Sequence, residues 1–189
     1  MDIAELSGSG GHKWRLLGWG TAVALLSVPF VAMQLHAEGV DWSVGDFLVM
    51  GVMLGTVGGL IELAMRTRRS WPYRGGVVLA LLGAFLLTWA NLAVGIVGSE
   101  HNPNNQLFFI ALLMGIAGAV GGNFSAGGMK RAMITTVITL ILAFVIAELG
   151  QHDEPMAPPI AEGIGTFIFV LLFAGSALLF RRAERQSDG

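Results

Sequence analysis

Three of the four histidines fall in short polar turns that separate long apolar runs, one histidine to each turn. Each has a carboxylate beside it or two residues away, and imidazole with carboxylate is a ligand set suited to Zn, Ni or Cu(II). The turns therefore form a candidate divalent-metal site with the candidate ligands His36, His101, His152, Glu100 and Asp153. No fixed spacing such as HxxxH supports this site, and loop histidines are usually solvated. The main expectation is no cofactor, with metal binding as the alternative.

Ionisable residues are scarce inside the apolar runs, where they would indicate function. Glu62 lies about one turn from the end of the second run, and Arg66 follows four residues later in the order that favours a helical ion pair. Glu162 lies near a predicted helix start, where the helix dipole stabilises a carboxylate. We therefore expect no buried carboxylate, histidine or lysine, which argues against proton-coupled or sodium-coupled transport.

The sequence contains no recognisable set of catalytic residues. Ser125 and the three turn histidines are expected on opposite membrane faces, which excludes a serine hydrolase, and only one aspartate, Asp46, is near a run. Cysteine is absent, which removes thiolate metal sites and CxxC redox chemistry. The basic residues occur in clusters of two to four beside run ends, not in a nucleic-acid-binding surface. The sequence predicts a protein that is not an enzyme and binds no nucleic acid.

Composition and hydropathy predict the fold class. Of the 189 residues, 54% are hydrophobic and 13% are charged, against about 25% charged in a soluble domain. Six apolar runs approach the roughly 20 residues that a transmembrane helix needs: about 14–35, 43–65, 75–98, 106–124, 132–149 and 160–180. We predict an all-α polytopic bundle of six transmembrane helices over residues 14–180, with a flexible tail at 1–13 and a basic cytoplasmic tail at 181–189. The S-x-x-D spacing of Ser43 and Asp46 predicts a capping box that starts the second helix.

The distribution of charge predicts the orientation. All 11 Lys and Arg residues lie in or directly beside the two tails, the second connection or the fourth connection, and the other three turns carry none. Basic residues in short loops mark the cytoplasmic side. Six spans with both termini in the cytoplasm is the only count that places every basic cluster on one side. The opposite face is then acidic.

Glycines recur at helical spacing in two runs. Gly51, Gly55 and Gly59 would form one stripe of the second helix, and Gly115, Gly118 and Gly122 a comparable stripe of the fourth. In lipid such small residues let helix backbones approach closely. The segments MGVMLGTVGG and MGIAGAVGG match with one gap. Either the first two hairpins are related copies, or the match reflects residues that are common in all membrane helices.

The stretch NLAVGIVGSEHNPNN, residues 91–105, links the third and fourth runs. It resembles the turn of an uncharacterised family of small bacterial multi-pass inner-membrane proteins, in which an NxAVGIxGSE segment leads into an Asn-Pro pair. The resemblance implies a bacterial inner membrane and no known activity. Physically, Gly95 and Gly98 would relax the helix end, Ser99, Asn102 and Asn105 could cap, and Pro103 would fix a turn.

Two functions from different classes fit this sequence. The first is a non-catalytic scaffold or accessory subunit that acts through helix-helix contacts, with the lipid bilayer and a homo-oligomer or membrane-protein partner around it. The alternative is a protein for cation or small-solute binding or permeation that uses the acidic, histidine-bearing outer face. A polar cavity lined by Asn91, Thr56 and Thr139 would favour the alternative. Glycine stripes that face lipid or a symmetric partner would favour the scaffold.

Overall fold

The computed structural model describes residues 3–67, 69–99, 101–150 and 159–187, with side chains described except at 3–14 and 159–161. This part of the chain is helical and contains no strand. The six helices are α1 Ile3–Gln34, α2 Val44–Arg66, α3 Trp71–Ala93, α4 Gln106–Gly121, α5 Ala126–Leu149 and α6 Pro159–Ser187, with a 3-10 turn at Pro103–Asn105. Six segments are long and apolar enough to cross a membrane, one for each helix, and the fourth, Pro103–Gly121, includes the 3-10 turn before α4. The predicted all-α fold of six membrane-spanning helices is confirmed, and it is consistent with a multi-pass membrane protein.

Several helix boundaries differ from those that hydropathy predicts. α3 ends at Ala93, before the predicted end near residue 98, because two following glycines take positive φ angles. α5 begins at Ala126, before the predicted start near 132, because the Ser125 hydroxyl accepts the Gly128 N–H at 3.1 Å and caps the helix. The backbone of α1 is helical from Ile3, within the stretch where the sequence predicts a tail.

The chain folds as two compact units, Met1–Arg66 and Thr67–Gly189. In the N-terminal unit α1 packs against α2. The predicted Arg66–Glu62 ion pair is present, and it is extended by Arg15, 3.0 Å from the same carboxylate. The Trp19 indole donates to the other carboxylate oxygen at 3.4 Å. The tryptophan ring also lies over Gly58, 3.5 Å from where a Cβ atom would be. Glu62 therefore joins the two helices.

The predicted capping box at the start of α2 is confirmed. The Asp46 N–H donates to the Ser43 hydroxyl at 3.3 Å, and the Ser43 N–H donates to the Asp46 carboxylate at 2.7 Å. This reciprocal pair satisfies backbone donors that a helix start otherwise leaves free.

In the C-terminal unit α5 packs against both α4 and α6, and α3 packs mainly against α6. The large side chains buried at the centre are Leu87, Phe108, Leu140 and Phe180. Glycine allows the α3–α6 approach, because the Phe180 ring lies 3.1 Å from the Cβ position of Gly76. The Ser176 hydroxyl, on α6, donates to the Gly76 carbonyl at 2.8 Å across the same contact.

Glycines also line the α4 face that meets α5. A Cβ atom on Gly115 would overlap the Thr136 hydroxyl. One on Gly118 would lie 3.0 Å from the Ala132 Cβ, and one on Gly122 only 2.5 Å from the Gly128 Cα. The α2 stripe differs. At Gly51, Gly55 and Gly59 no described atom of the N-terminal unit beyond the helix's own neighbouring residues lies within 4 Å of the Cβ position.

Replacing Gly122 by alanine should destabilise the C-terminal unit, because the new methyl group meets backbone that cannot rotate away. Overpacking of this kind costs about 1–3 kcal/mol. Gly121→Ala is the matched control, since a Cβ there meets no atom within 4 Å. Thermal unfolding in detergent should show a lower midpoint for Gly122→Ala alone. Equal midpoints for the two variants would contradict the close α4–α5 packing.

Candidate functional site

The most extensive polar cluster in the described structure surrounds the turn between α3 and α4. We call it the Asn105 cluster, comprising Asn91, Asn105, Glu162 and the backbone of residues 96–99. The turn starts where Gly95 takes a φ of 77° and its N–H donates to the Ala90 carbonyl at 3.1 Å. From there the backbone no longer makes helical hydrogen bonds. Its polar groups then need partners from side chains.

Asn105 provides most of those partners and is only 4% exposed. Its Oδ1 accepts the N–H groups of Ile96 and Val97, both at 3.0 Å. Its Nδ2 donates to the carbonyls of Val97 at 3.2 Å and Ser99 at 2.7 Å. The structure therefore differs from the prediction that the Asn105 side chain caps a helix. Asn105 occupies the N-cap position of α4, but its side chain makes no capping hydrogen bond and bonds the preceding turn instead.

The other turn residues predicted from the sequence also contribute to the structure of this turn. Asn102 does cap, because its Oδ1 accepts the Asn104 N–H at 2.9 Å and starts the 3-10 turn at Pro103. Ser99 contributes its carbonyl to Asn105. A Cβ atom on Gly95 would lie 2.6 Å from the Ser99 carbonyl oxygen, so both its φ and its surroundings require glycine.

Glu162 ties α6 to this turn. Its Oε1 accepts the Gly98 N–H at 2.9 Å, across 64 residues of sequence. The carboxylate is 8% exposed, so the expectation that the chain buries no carboxylate is wrong. The bond to Gly98 explains how burial is tolerated, since a hydrogen-bonded partner offsets part of the cost of desolvation. The position of Glu162 near the start of α6 is as predicted.

A pocket of about 280 Å³ opens beside the Asn105 cluster. Asn91 lines it and donates from Nδ2 to the Asn105 carbonyl at 2.9 Å. The Asn91 Oδ1 is buried and has no hydrogen-bond partner in the described part of the chain. The remaining wall consists of Leu92, His101, Asn102, Pro103, Asn105, Gln106 and Phe109. The pocket lining thus includes four amide side chains and one imidazole.

The candidate metal ligands are only partly described. His36 lies exposed in the turn after α1, with a φ of 54°, and His101 lines the pocket at the start of the 3-10 turn. Glu100, His152 and Asp153 lie outside the described residues. Within 3–67, 69–99, 101–150 and 159–187, no group of three histidines or acids is placed to hold a metal ion. Metal binding therefore stays a prediction.

Of the three residues whose shared polar cavity would favour the alternative function, one lines a pocket in the described structure. Asn91 lines a pocket, whereas Thr139 donates its hydroxyl to the Thr135 carbonyl within α5 at 2.9 Å. Thr56 is exposed on α2. The sequence predicts Asn91 as an interhelical hydrogen-bonding residue, and its amide does bond the Asn105 carbonyl just before α4.

Comparisons with protein-family models, with curated proteins and with solved structures find no match to this chain.

Asn105→Ala should destabilise the C-terminal unit strongly, because it leaves two backbone N–H groups and two carbonyls of the turn without their partner. Each buried polar group left unsatisfied costs about 1–3 kcal/mol. Asn104→Ala is the control one residue away, since the backbone N–H of Asn104, and not its side chain, bonds Asn102. We expect thermal unfolding in detergent to show a large decrease in midpoint only for Asn105→Ala. A small, equal decrease in both would mean that the turn does not depend on this amide.

Proposed function

We propose that this is a non-catalytic protein of the bacterial inner membrane, with both termini in the cytoplasm, that acts as a scaffold or accessory subunit through helix-helix contacts. The observation that carries the proposal is the stripe of Gly51, Gly55 and Gly59 on α2, which no described side chain of the N-terminal unit covers. A second transmembrane helix, from another copy or from a partner membrane protein, would pack on this stripe.

The contrast between the two glycine stripes supports this proposal. Gly115, Gly118 and Gly122 are already covered by α5 within the C-terminal unit. The α2 stripe has no such cover among the described residues of its own unit, although it too has a spacing that places glycines on one helix face. Close helix approach in lipid gains van der Waals contact, and small residues at intervals of four permit it. The α2 stripe therefore has the surface chemistry of a helix-docking face.

The use of the buried polar groups supports a non-catalytic role. Both polar atoms of the Asn105 side chain form hydrogen bonds with the backbone of the turn. Glu162 bonds the same turn through Gly98. Groups held in this way position backbone and α6, and a catalytic acid or base must instead be free to reach a substrate proton.

Single cysteines provide a direct test because the chain contains none. We expect Gly55→Cys to form a cross-linked species in native membranes treated with a short bis-maleimide, either at twice the protein mass or with a partner. Leu60→Cys is the control, since it is exposed on the same helix and about 140° around it at roughly 100° per residue. Cross-links absent at Gly55, or equally strong at Leu60, would remove α2 as the docking face.

A second candidate function is favoured by the pocket beside the Asn105 cluster. Amide side chains line this pocket, and amide groups can bind a cation or a small solute that donates a hydrogen bond. His101 lines the same pocket. This candidate would make the protein a cation or small-solute binding or permeation protein.

Thermal unfolding with chelator and then with Zn, Ni or Cu(II) distinguishes metal binding from its absence. A ligand that binds only the folded state stabilises it by about 2.7 kcal/mol at a hundredfold excess over its dissociation constant. If a metal site exists, the midpoint should rise with metal in the wild type, and this rise should be lost in His101→Ala. An unchanged midpoint in both proteins would exclude metal binding at His101 under these conditions.

A further inference from the structure

A second, larger groove lies in the C-terminal unit where α6 ends beside α3. Its volume is about 550 Å³. It has an apolar part formed by Leu79 of α3 with Gly175 and Leu178 of α6, and a basic part formed by Arg181, Arg182 and Arg185. The groove is separate from the Asn105 cluster and shares no lining residue with it.

The order of residues along α6 divides this groove into two chemical halves. Leu178, Arg181, Arg182 and Arg185 follow the i, i+3, i+4, i+7 spacing of one helix face. The rise from the leucine to the last arginine is about 10 Å at 1.5 Å per residue. Gly175 deepens the apolar half because it has no side chain, and the Leu79 Cδ2 lies 3.0 Å from its Cβ position.

The basic half carries charge that the described residues do not neutralise. Glu184 is the carboxylate on this stretch of α6, and it is bonded to Lys130 of α5 at 2.6 Å. All three arginines of the groove are exposed, and none has an ion-pair partner within the described chain. Three guanidinium groups in two helical turns therefore attract an anion.

We propose that this groove binds one anionic phospholipid, with its phosphate on Arg181, Arg182 and Arg185 and an acyl chain along Leu79 and Leu178. Guanidinium groups bind phosphate oxygens bidentately, and basic pockets between transmembrane helices suit anionic lipid head groups. The apolar half favours a lipid over a soluble phosphate, because a soluble anion would leave the leucines uncovered. The basic part and the apolar part of the groove thus lie side by side, as the phosphate and the acyl chains do in a phospholipid.

The test is native mass spectrometry of the full-length protein in a non-ionic detergent. The protein is titrated with phosphatidylglycerol or with phosphatidylcholine of the same acyl chains. We expect phosphatidylglycerol to bind at least tenfold more tightly. Arg182→Gln should weaken that binding about fivefold, the effect of one basic residue near an anionic lipid. The triple change of Arg181, Arg182 and Arg185 to glutamine should remove the preference.

Two controls make the result specific. Arg131→Gln removes one charge from the α5 turn that pairs with this end of α6, but Arg131 does not line the groove, so its effect should be small. Changing the three groove arginines to lysine keeps the charge and should retain most of the preference. The proposal is overturned if Arg131→Gln weakens binding as much as Arg182→Gln, or if the triple glutamine variant still prefers phosphatidylglycerol. It is also overturned if inorganic phosphate at equal concentration displaces the lipid.

Discussion

The satisfaction of backbone polar groups where the chain leaves a helix is the constraint on which the C-terminal unit depends. A transmembrane helix satisfies its own N–H and C=O groups, and a turn does not. Between α3 and α4, one side chain provides the hydrogen-bond partners that backbone groups would otherwise find within a helix. Asn105 makes four hydrogen bonds to the backbone of residues 96, 97 and 99. The turn is consequently part of the folded core, and Val97 in its middle is fully buried.

Close packing of small residues is the second constraint, and it acts along the helices. Lipid is as apolar as leucine, so burying leucine gives little drive for helices to associate. The C-terminal unit gains contact by bringing backbones together at Gly76, Gly118 and Gly122, where phenylalanine, alanine and glycine of the facing helix fill the space. The same residue type left uncovered on α2 becomes a surface for another helix under the proposed function.

Hydropathy, local spacing and residue type were sufficient to predict the local features of this fold. The six helices, the Ser43–Asp46 cap and the Glu62–Arg66 pair all depend on residues close in sequence, and all are confirmed. Helix ends were less accurate. Because apolar residues continue past Ala93, hydropathy predicts a longer α3 than the structure has. The helix ends at Ala93, and Gly95 and Gly98 take positive φ angles in the stretch that follows.

Long-range contacts could not be predicted from one sequence. The burial of Glu162 depends on an N–H group 64 residues away, and no local pattern distinguishes it from a carboxylate that only caps a helix. The position of Asn91 beside a pocket depends on the path of the turn around Asn105. Whether the turn histidines meet also depends on residues far apart in sequence, including His152, which lies outside the described part.

The Glu162–Gly98 bond has a consequence for how the protein is made. The Asn105 bonds span at most nine residues, so the turn can close as soon as α4 begins to emerge. Its final bond must wait for Glu162, and synthesis of the intervening 64 residues takes roughly 3–13 s at about 5–20 residues per second. During that interval α3, α4 and α5 enter the membrane with the Gly98 N–H still lacking the carboxylate. The Glu162–Gly98 bond can therefore form only after the start of α6 has been synthesised.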